Sequence, residues 1–261
     1  MTRIEELFKA QPHVLIAYIT VGDPSSDQTA SLVAALVRGG ADLIELGVPF
    51  SDPIADGPVI QRAGYRALQQ GTTLTRVLAI ARQIRETSQV PLLLFTYLNP
   101  VESYGVARLA HDAKEAGIDG CLLIDASVEE AEDYVHAMRE HQLDTVFLAA
   151  PTSSERRLKL VAKYSSGFIY LVSRTGVTGE QSSVSTSVAP LVERMREVSD
   201  LPLAVGFGVS KPEHVSEIGR VAHGVVVGSA IMSLIEKYGP VADLEERLEQ
   251  FARGLKGGFA Q

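Results

Sequence analysis

Short runs of apolar residues alternate along the chain with longer stretches in which apolar positions recur every three or four residues. Eight of the short runs read as strands: Leu15 to Thr20, Asp42 to Gly47, Leu92 to Tyr97, Asp119 to Ile124, Asp144 to Leu148, Phe168 to Ser173, Leu203 to Gly206 and Gly224 to Val227. Val, Ile and Leu follow one another in them almost without a break. That is the pattern of strands buried on both faces, as in a parallel sheet covered by helices. The longer stretches carry helical stripes: Leu32, Val33, Leu36 and Val37; Val77, Ile80, Ala81 and Ile84; and, near the end, Leu244, Leu248, Phe251, Ala252 and Leu255, with Asp243 where an N-cap belongs. Ile4 to Lys9 reads as an extra helix closing one end of the fold. Gly39-Gly40, Pro91, Gly117, Pro151, Pro202 and Pro212 mark boundaries between elements. Eight β–α units in 261 residues predict an α/β chain. The expected fold is a single (β/α)8 TIM barrel over residues 1–261, with an N-terminal helix and a long loop after the sixth strand. An open doubly wound sheet shares this periodicity and stays open as an alternative.

In such barrels, chemistry sits at the C-terminal ends of the strands and in the loops that follow. Glu45 lies inside the second expected strand between Ile44 and Leu46. A carboxylate there is expensive unless it is paired or used, and burial raises its pKa toward the range useful for acid–base work. Taken alone, Glu45 fits a structural carboxylate bonded to a buried donor equally well. Asp56 lies in the next loop, between Pro53 and Pro58; taken alone, it fits a turn residue better than a functional one. Together, the two are able to face one cavity, one from the wall and one from the rim. Gly206-Phe207-Gly208 and Gly228-Ser229-Ala230 follow the seventh and eighth strands, where many barrels bind phosphate on backbone N–H groups and a helix N-terminus. Ser173 to Gln181, continued by a Ser/Thr-rich run to Ser187, has the length of a lid, although a surface loop is the other reading.

Composition narrows the class. The net charge of −8 disfavours a nucleic-acid partner, but not a single phosphate held locally by backbone N–H groups. The chain has no run of the ~18 apolar residues that a membrane span requires, and its start lacks a signal-peptide core, so a cytoplasmic location is expected. The one cysteine, Cys121, lies in an apolar run and reads as a buried structural thiol. The six histidines show no metal-ligand spacing, so no metal is expected. No Lys lies in a strand to serve a Schiff-base aldolase, and no GxGxxG follows the first strand to hold a dinucleotide. No cofactor is expected.

The run Glu45-Leu-Gly-Val-Pro-Phe-Ser-Asp-Pro-Ile-Ala-Asp-Gly-Pro58 closely resembles the signature of the tryptophan synthase alpha subunits. The resemblance extends through Tyr18-Ile-Thr-Val-Gly-Asp-Pro24, Tyr97-Leu-Asn-Pro100, Tyr170-Leu-Val-Ser-Arg-Thr-Gly-Val-Thr-Gly179, Gly206-Phe-Gly-Val-Ser210 and Gly228-Ser-Ala230. It implies a lyase of tryptophan biosynthesis that cleaves indole-3-glycerol phosphate into indole and glyceraldehyde 3-phosphate. It also implies a beta-subunit partner in an alpha2beta2 assembly. Glu45 is then the acid–base catalyst and Asp56 the partner of the indole N–H. Gly179, Gly206, Gly208, Gly228 and Ser229 surround the phosphate. Tyr18, Phe95, Leu122, Ile124, Leu148 and Phe207 line the indole pocket, with Tyr97, Tyr170 and Thr178 in support. One position departs from the family: after the fourth strand it usually has Asp, an aliphatic residue and Pro, whereas this chain reads Asp125-Ala126-Ser127. That loop belongs to the face that meets the beta subunit, so altered coupling is expected. Three other readings are a phosphate-binding isomerase or epimerase barrel, a free-standing lyase and a non-catalytic barrel that only activates a beta subunit.

Overall fold

The computed structural model describes residues 1–172, 185–206, 208–239 and 241–260, with only the backbone for 185–187. Nine parallel strands form one sheet: β1 (Val14–Thr20), β2 (Leu43–Gly47), β3 (Leu92–Thr96), β4 (Gly120–Leu123), β5 (Asp144–Val146), β6 (Leu148–Ala149), β7 (Ile169–Val172), β8 (Leu203–Gly206) and β9 (Gly224–Val227). Their order is β5-β4-β3-β2-β1-β9-β8-β7-β6. The two outer members, β5 and β6, are successive pieces of one chain segment. β5 pairs back onto β4 and β6 pairs forward onto β7, so the sheet closes through that segment into a barrel.

Eight expected strands thus become nine, because the run from Asp144 to Leu148 is interrupted at Phe147. The hydrophobic pattern passes through this point unchanged; only the hydrogen-bond partners change. Phe147 is itself buried, and its carbonyl accepts from the Tyr170 N–H at 3.1 Å. β8 and β9 have the expected bounds. β2 and β4 each begin one residue later than expected, with one cause. Asp42 and Asp119 do not begin their strands; their side chains accept an N–H within the first two residues of the preceding strand. Asp42 takes Leu15 N–H at 2.7 Å, and Asp119 takes Leu92 N–H at 2.8 Å. Ser166 does the same for Thr145, and the His223 ring nitrogen for Leu203. These contacts tie down the N-terminal end of the barrel, where such folds invest in stability rather than chemistry.

The extra helix is real and spans Arg3–Ala10, capped by a reciprocal Thr2–Glu5 pair. It seals that same floor: Ile4 is fully buried, and the Phe8 ring lies 5.5 Å from Phe168. Arg3 and Arg85 both bond Asp119, at 2.9 and 2.7 Å. The expected stripes face inward: Leu32, Val33, Leu36, Val77, Ile80, Ala81, Ile84, Leu244, Leu248, Ala252 and Leu255 are buried. Asp243 stands at the cap position of the last long helix, Leu244–Lys256, yet makes no cap bond. Its carboxylate accepts from Arg247 at 2.6 Å instead, so the N-cap expectation is corrected. No helix among the described residues is long and apolar enough to cross a membrane.

Candidate active site

The strand register decides which side chains enter the barrel. Residues paired across a parallel ladder point to the same face, and faces alternate along each strand. Tyr18, Glu45 and Leu93 are in register, as are Thr20, Gly47, Phe95 and Leu122. On the far side, Leu148 pairs with Tyr170, and Val172 with Gly206. Ile124 and Gly228 extend the same parity beyond β4 and β9. Of the residues singled out for a pocket, Tyr18, Phe95, Leu122, Ile124 and Leu148 therefore share the inner face with Glu45. Tyr18 meets Phe95 edge to face at 5.2 Å, and its hydroxyl lies 3.2 Å from Thr20 Oγ1.

Two glycines owe their identity to these rings. A Cβ on Gly47 would stand 2.2 Å from the Tyr18 hydroxyl, and one on Gly206 would stand 2.3 Å from the Tyr170 hydroxyl. Gly47 gave no functional signal in the sequence, because its requirement comes from a ring on the neighbouring strand.

Glu45 is 1 % exposed, and among the described residues its Oε1 has no hydrogen-bond partner. The structural alternative would have a buried donor on the carboxylate, and the described residues place none on Oε1. Burial alone lifts the carboxyl from 4.5 to about 8. Asp56 occupies the rim and is also buried, and burial lifts it to about 6 from 3.8. A hydrogen bond from the Tyr97 hydroxyl opposes the rise. That hydroxyl also accepts the Ala55 N–H at 3.1 Å, so Tyr97 grips the loop at two successive residues. Tyr97 is thus more than a pocket wall: its ring packs 5.1 Å from Phe50, and its hydroxyl fixes Asp56. Near neutral pH the pair is split, with Glu45 mostly protonated and Asp56 mostly ionised. Tyr18 lies within electrostatic reach of both carboxyls, and Tyr170 within reach of Glu45 and Tyr18. The phenols of both tyrosines are pushed up, mainly by burial, and stay neutral.

The loop that carries Asp56 runs directly into the helix Pro58–Gln69, with Gly57 as N-cap and Pro58 at the first position. Arg66 on that helix bonds Asp23 after β1 through two contacts of 2.7 and 2.8 Å, and bonds Glu236 at 2.8 Å. Glu236 belongs to the helix Ser229–Tyr238, which Gly228 opens. The Asp56 segment and the glycine turn after β9 are thereby tied through one guanidinium. Gly208 has φ +57°, a left-handed conformation that favours glycine. Thr178, Gly179, Phe207 and the expected lid from Ser173 to Val184 lie outside the described residues. Cys121 is buried, and its thiol is pushed up to about 12, chiefly by burial.

An α/β barrel with one buried carboxyl on the inner face of a strand and another in the loop that follows it, both with pKa values raised by burial, belongs to the class of barrel enzymes built for acid–base chemistry. The family profile described as tryptophan synthase alpha chain matches residues 4–258. The tryptophan synthase alpha chain of Solibacter usitatus is 68 % identical over 263 residues, covering 99 % of this chain and 98 % of its own. A chain in a structure of Mycobacterium tuberculosis tryptophan synthase superposes with a TM-score of 0.91 at 36 % identity, covering 98 % of both chains. A chain in a study of mutual activation in the tryptophan synthase α2β2 complex of Pyrococcus furiosus gives 0.88 at 40 % identity, covering 95 % of this chain and 99 % of that one. The chain belongs to the tryptophan synthase alpha chain family.

Proposed function

We propose that this chain is a cytoplasmic lyase that cleaves indole-3-glycerol phosphate into indole and glyceraldehyde 3-phosphate while docked on a beta subunit. The observation that carries the reading is Glu45: a carboxyl buried on the inner face, its Oε1 without a partner among the described residues, followed by the buried Asp56 in the loop after its strand.

The chemistry balances with these groups. Glu45 gives its proton to C3 of the indole ring, and the positive charge falls on the ring nitrogen. Asp56 stabilises that charge in a pocket that excludes water. The Glu45 carboxylate then takes the proton of the hydroxyl on the carbon attached to C3. The carbon–carbon bond breaks, its electrons restore the indole ring, the aldehyde forms, and Glu45 is again protonated. Tyr18, Phe95, Leu122, Ile124 and Leu148 supply the apolar slot, with Phe207 proposed from the sequence alone. Gly206, Gly208, Gly228 and Ser229, with Gly179, are proposed for the phosphate, which the N-terminus of the Ser229–Tyr238 helix attracts. Tyr170 and Thr178 support the reacting end.

This assignment predicts a bell-shaped pH profile for kcat/KM. Activity requires Asp56 ionised, so it falls as pH drops through about 6. It also requires Glu45 protonated, so it falls as pH rises through about 8. Indole release measured from pH 5 to 9, with and without a beta subunit, tests it. A flat profile, or no indole in either condition, refutes the assignment.

The partner face is proposed for the loop 49–58, Asn99-Pro100 at the start of the helix Leu98–Tyr104, and the loop beginning at Asp125. Ile54 there is 79 % exposed, a large apolar side chain in water at the edge of the site. Docking over the mouth would retain indole, which otherwise escapes through water and membranes. Ser127, the departure from the family, has φ −70°, within the range proline imposes, and among the described residues its N–H makes no hydrogen bond. Ser127→Pro is therefore expected to fold normally and to bind a beta subunit a few-fold more tightly, since a fixed φ reduces the entropy lost on docking. Calorimetric titration with and without a substrate analogue checks this; equal affinities would make the substitution neutral.

A further inference from the structure

We infer that Asp125 is a positioning residue for the lyase reaction, holding Tyr97 so that its hydroxyl fixes Asp56. The inference rests on the assignment of Asp56 to the reaction.

The helix Leu98–Tyr104 has Tyr97 at its N-cap position, with extended backbone at φ −101° and ψ 160°. A cap residue normally accepts a helix N–H with its own side chain, and Ser, Thr, Asp and Asn do this. Tyr97 has no such oxygen near its backbone and makes no cap bond. An acceptor for the first helical N–H comes from another loop: Asp125 Oδ1 takes the Leu98 N–H at 2.7 Å from 27 residues further along. The cap function is thus supplied across the mouth of the barrel. The Tyr97 side chain, released from it, reaches the opposite way to the Asp56 loop, where it bonds the Ala55 N–H and the Asp56 carboxylate. Asp125, Leu98, Tyr97 and Asp56 form one continuous path of two hydrogen bonds and one peptide link.

The path starts in the loop that carries Ser127 and the short helical turn Val128–Glu130, and it ends on the carboxylate that meets the developing charge. A partner that displaces the 125–130 loop would act on Asp56 through it. Asp125 itself is exposed, and its bond lies at the surface, so replacing it leaves the buried core untouched.

Removing the acceptor frees the first turn of the helix and lets the Tyr97 hydroxyl drift. Asp56 then loses the hydrogen bond that holds its pKa down. Asp56 is faced by Tyr97 and by Tyr18 from β1, and only the Tyr97 contact changes. The acid limb of the kcat/KM profile should therefore move up from about 6.

The test is indole release from indole-3-glycerol phosphate by the whole chain, alone and with a beta subunit. Asp125→Ala is expected to lower kcat roughly ten-fold, with KM changed less than about three-fold, and to shift the acid limb upward. Asp125→Asn keeps the accepting oxygen and should return kcat to within about two-fold of wild type. Tyr97→Phe should shift the limb in the same direction, and the double variant Asp125→Ala/Tyr97→Phe should be no worse than Tyr97→Phe alone, because the two lie on one path. An unmoved acid limb in Asp125→Ala, a loss confined to KM, or additive losses in the double variant would each overturn the role of Asp125. None of these outcomes touches the assignment of Glu45 and Asp56, which Glu45→Gln and Asp56→Asn test separately.

Discussion

Glu45→Gln is expected to fold, to melt at a higher temperature than the wild type at neutral pH, and to release indole at least about 10²-fold more slowly. The two effects have one origin. Glu45 is buried without a partner for Oε1 and is held at about 8, against 4.5 when solvated. Its value in the folded state lies above that in the unfolded state. The wild type therefore has its full stability from this group below about 4.5, loses it progressively as pH rises, and has lost all of it once pH passes about 8. The full loss is of order 5 kcal/mol from the difference between those two values. Glutamine has nearly the same shape and no charge at any pH, so it escapes that cost. The two proteins should melt together near pH 4 and diverge as pH rises, by on the order of 5–10 °C at pH 8. Activity moves the opposite way, because the amide neither gives a proton to C3 nor takes one from the hydroxyl. Calorimetric melts from pH 4 to 9 alongside an indole assay read both effects. A Gln variant that melts lower than wild type at pH 8 would show that the carboxylate is stabilised by something the geometry does not contain. One that kept near-normal turnover would make Glu45 structural.

The same residue shows how far the sequence could be read. Glu45 stood out because a carboxylate between Ile44 and Leu46 has to be either paired or used, and only the folded barrel shows what lies around it. The barrel was legible because strands covered on both faces read as unbroken Val, Ile and Leu runs. Their ends were less so, since Asp42 and Asp119 look like strand residues and act as acceptors for a neighbouring strand. The break at Phe147 had no signal, because a change of pairing partner leaves the hydrophobic pattern intact. Pocket residues such as Phe95, Leu122 and Leu148 were placed by likeness to a family, and the register then put them on one face. What neither periodicity nor motif carried was contact between loops. Tyr97 reads as one more aromatic at a strand end, yet its hydroxyl belongs to the Asp56 loop. Asp125 reads as part of a surface turn, yet it completes a helix that begins 27 residues earlier. Contacts of this kind are set by where the barrel brings loop ends together, and no local pattern encodes that.

Asp56→Asn is expected to lower kcat by about 10²–10³-fold while changing KM only a few-fold. Asparagine keeps the size of the side chain and an oxygen for the Tyr97 hydroxyl, so the loop should stay in place. What it removes is negative charge. The substrate's ring nitrogen is neutral in the ground state and becomes positive only after C3 is protonated. A carboxylate there stabilises the transition state more than the bound substrate, and its loss falls on kcat. The buried setting enlarges the effect: Asp56 is 8 % exposed, and little water remains to take over the charge. The acid limb near 6, which reports ionisation of Asp56, should vanish, leaving only the fall near 8 that belongs to Glu45. That selective loss separates the two carboxyls, because Glu45→Gln would remove the fall near 8 from whatever activity remains. Steady-state kinetics across pH with both variants decides the matter. If Asp56→Asn raised KM strongly with kcat unchanged, Asp56 would only hold the substrate, and the charge at the ring nitrogen would have to be met elsewhere. If the acid limb survived in Asp56→Asn, another group near the mouth would own it, and the division of labour between Glu45 and Asp56 would fail.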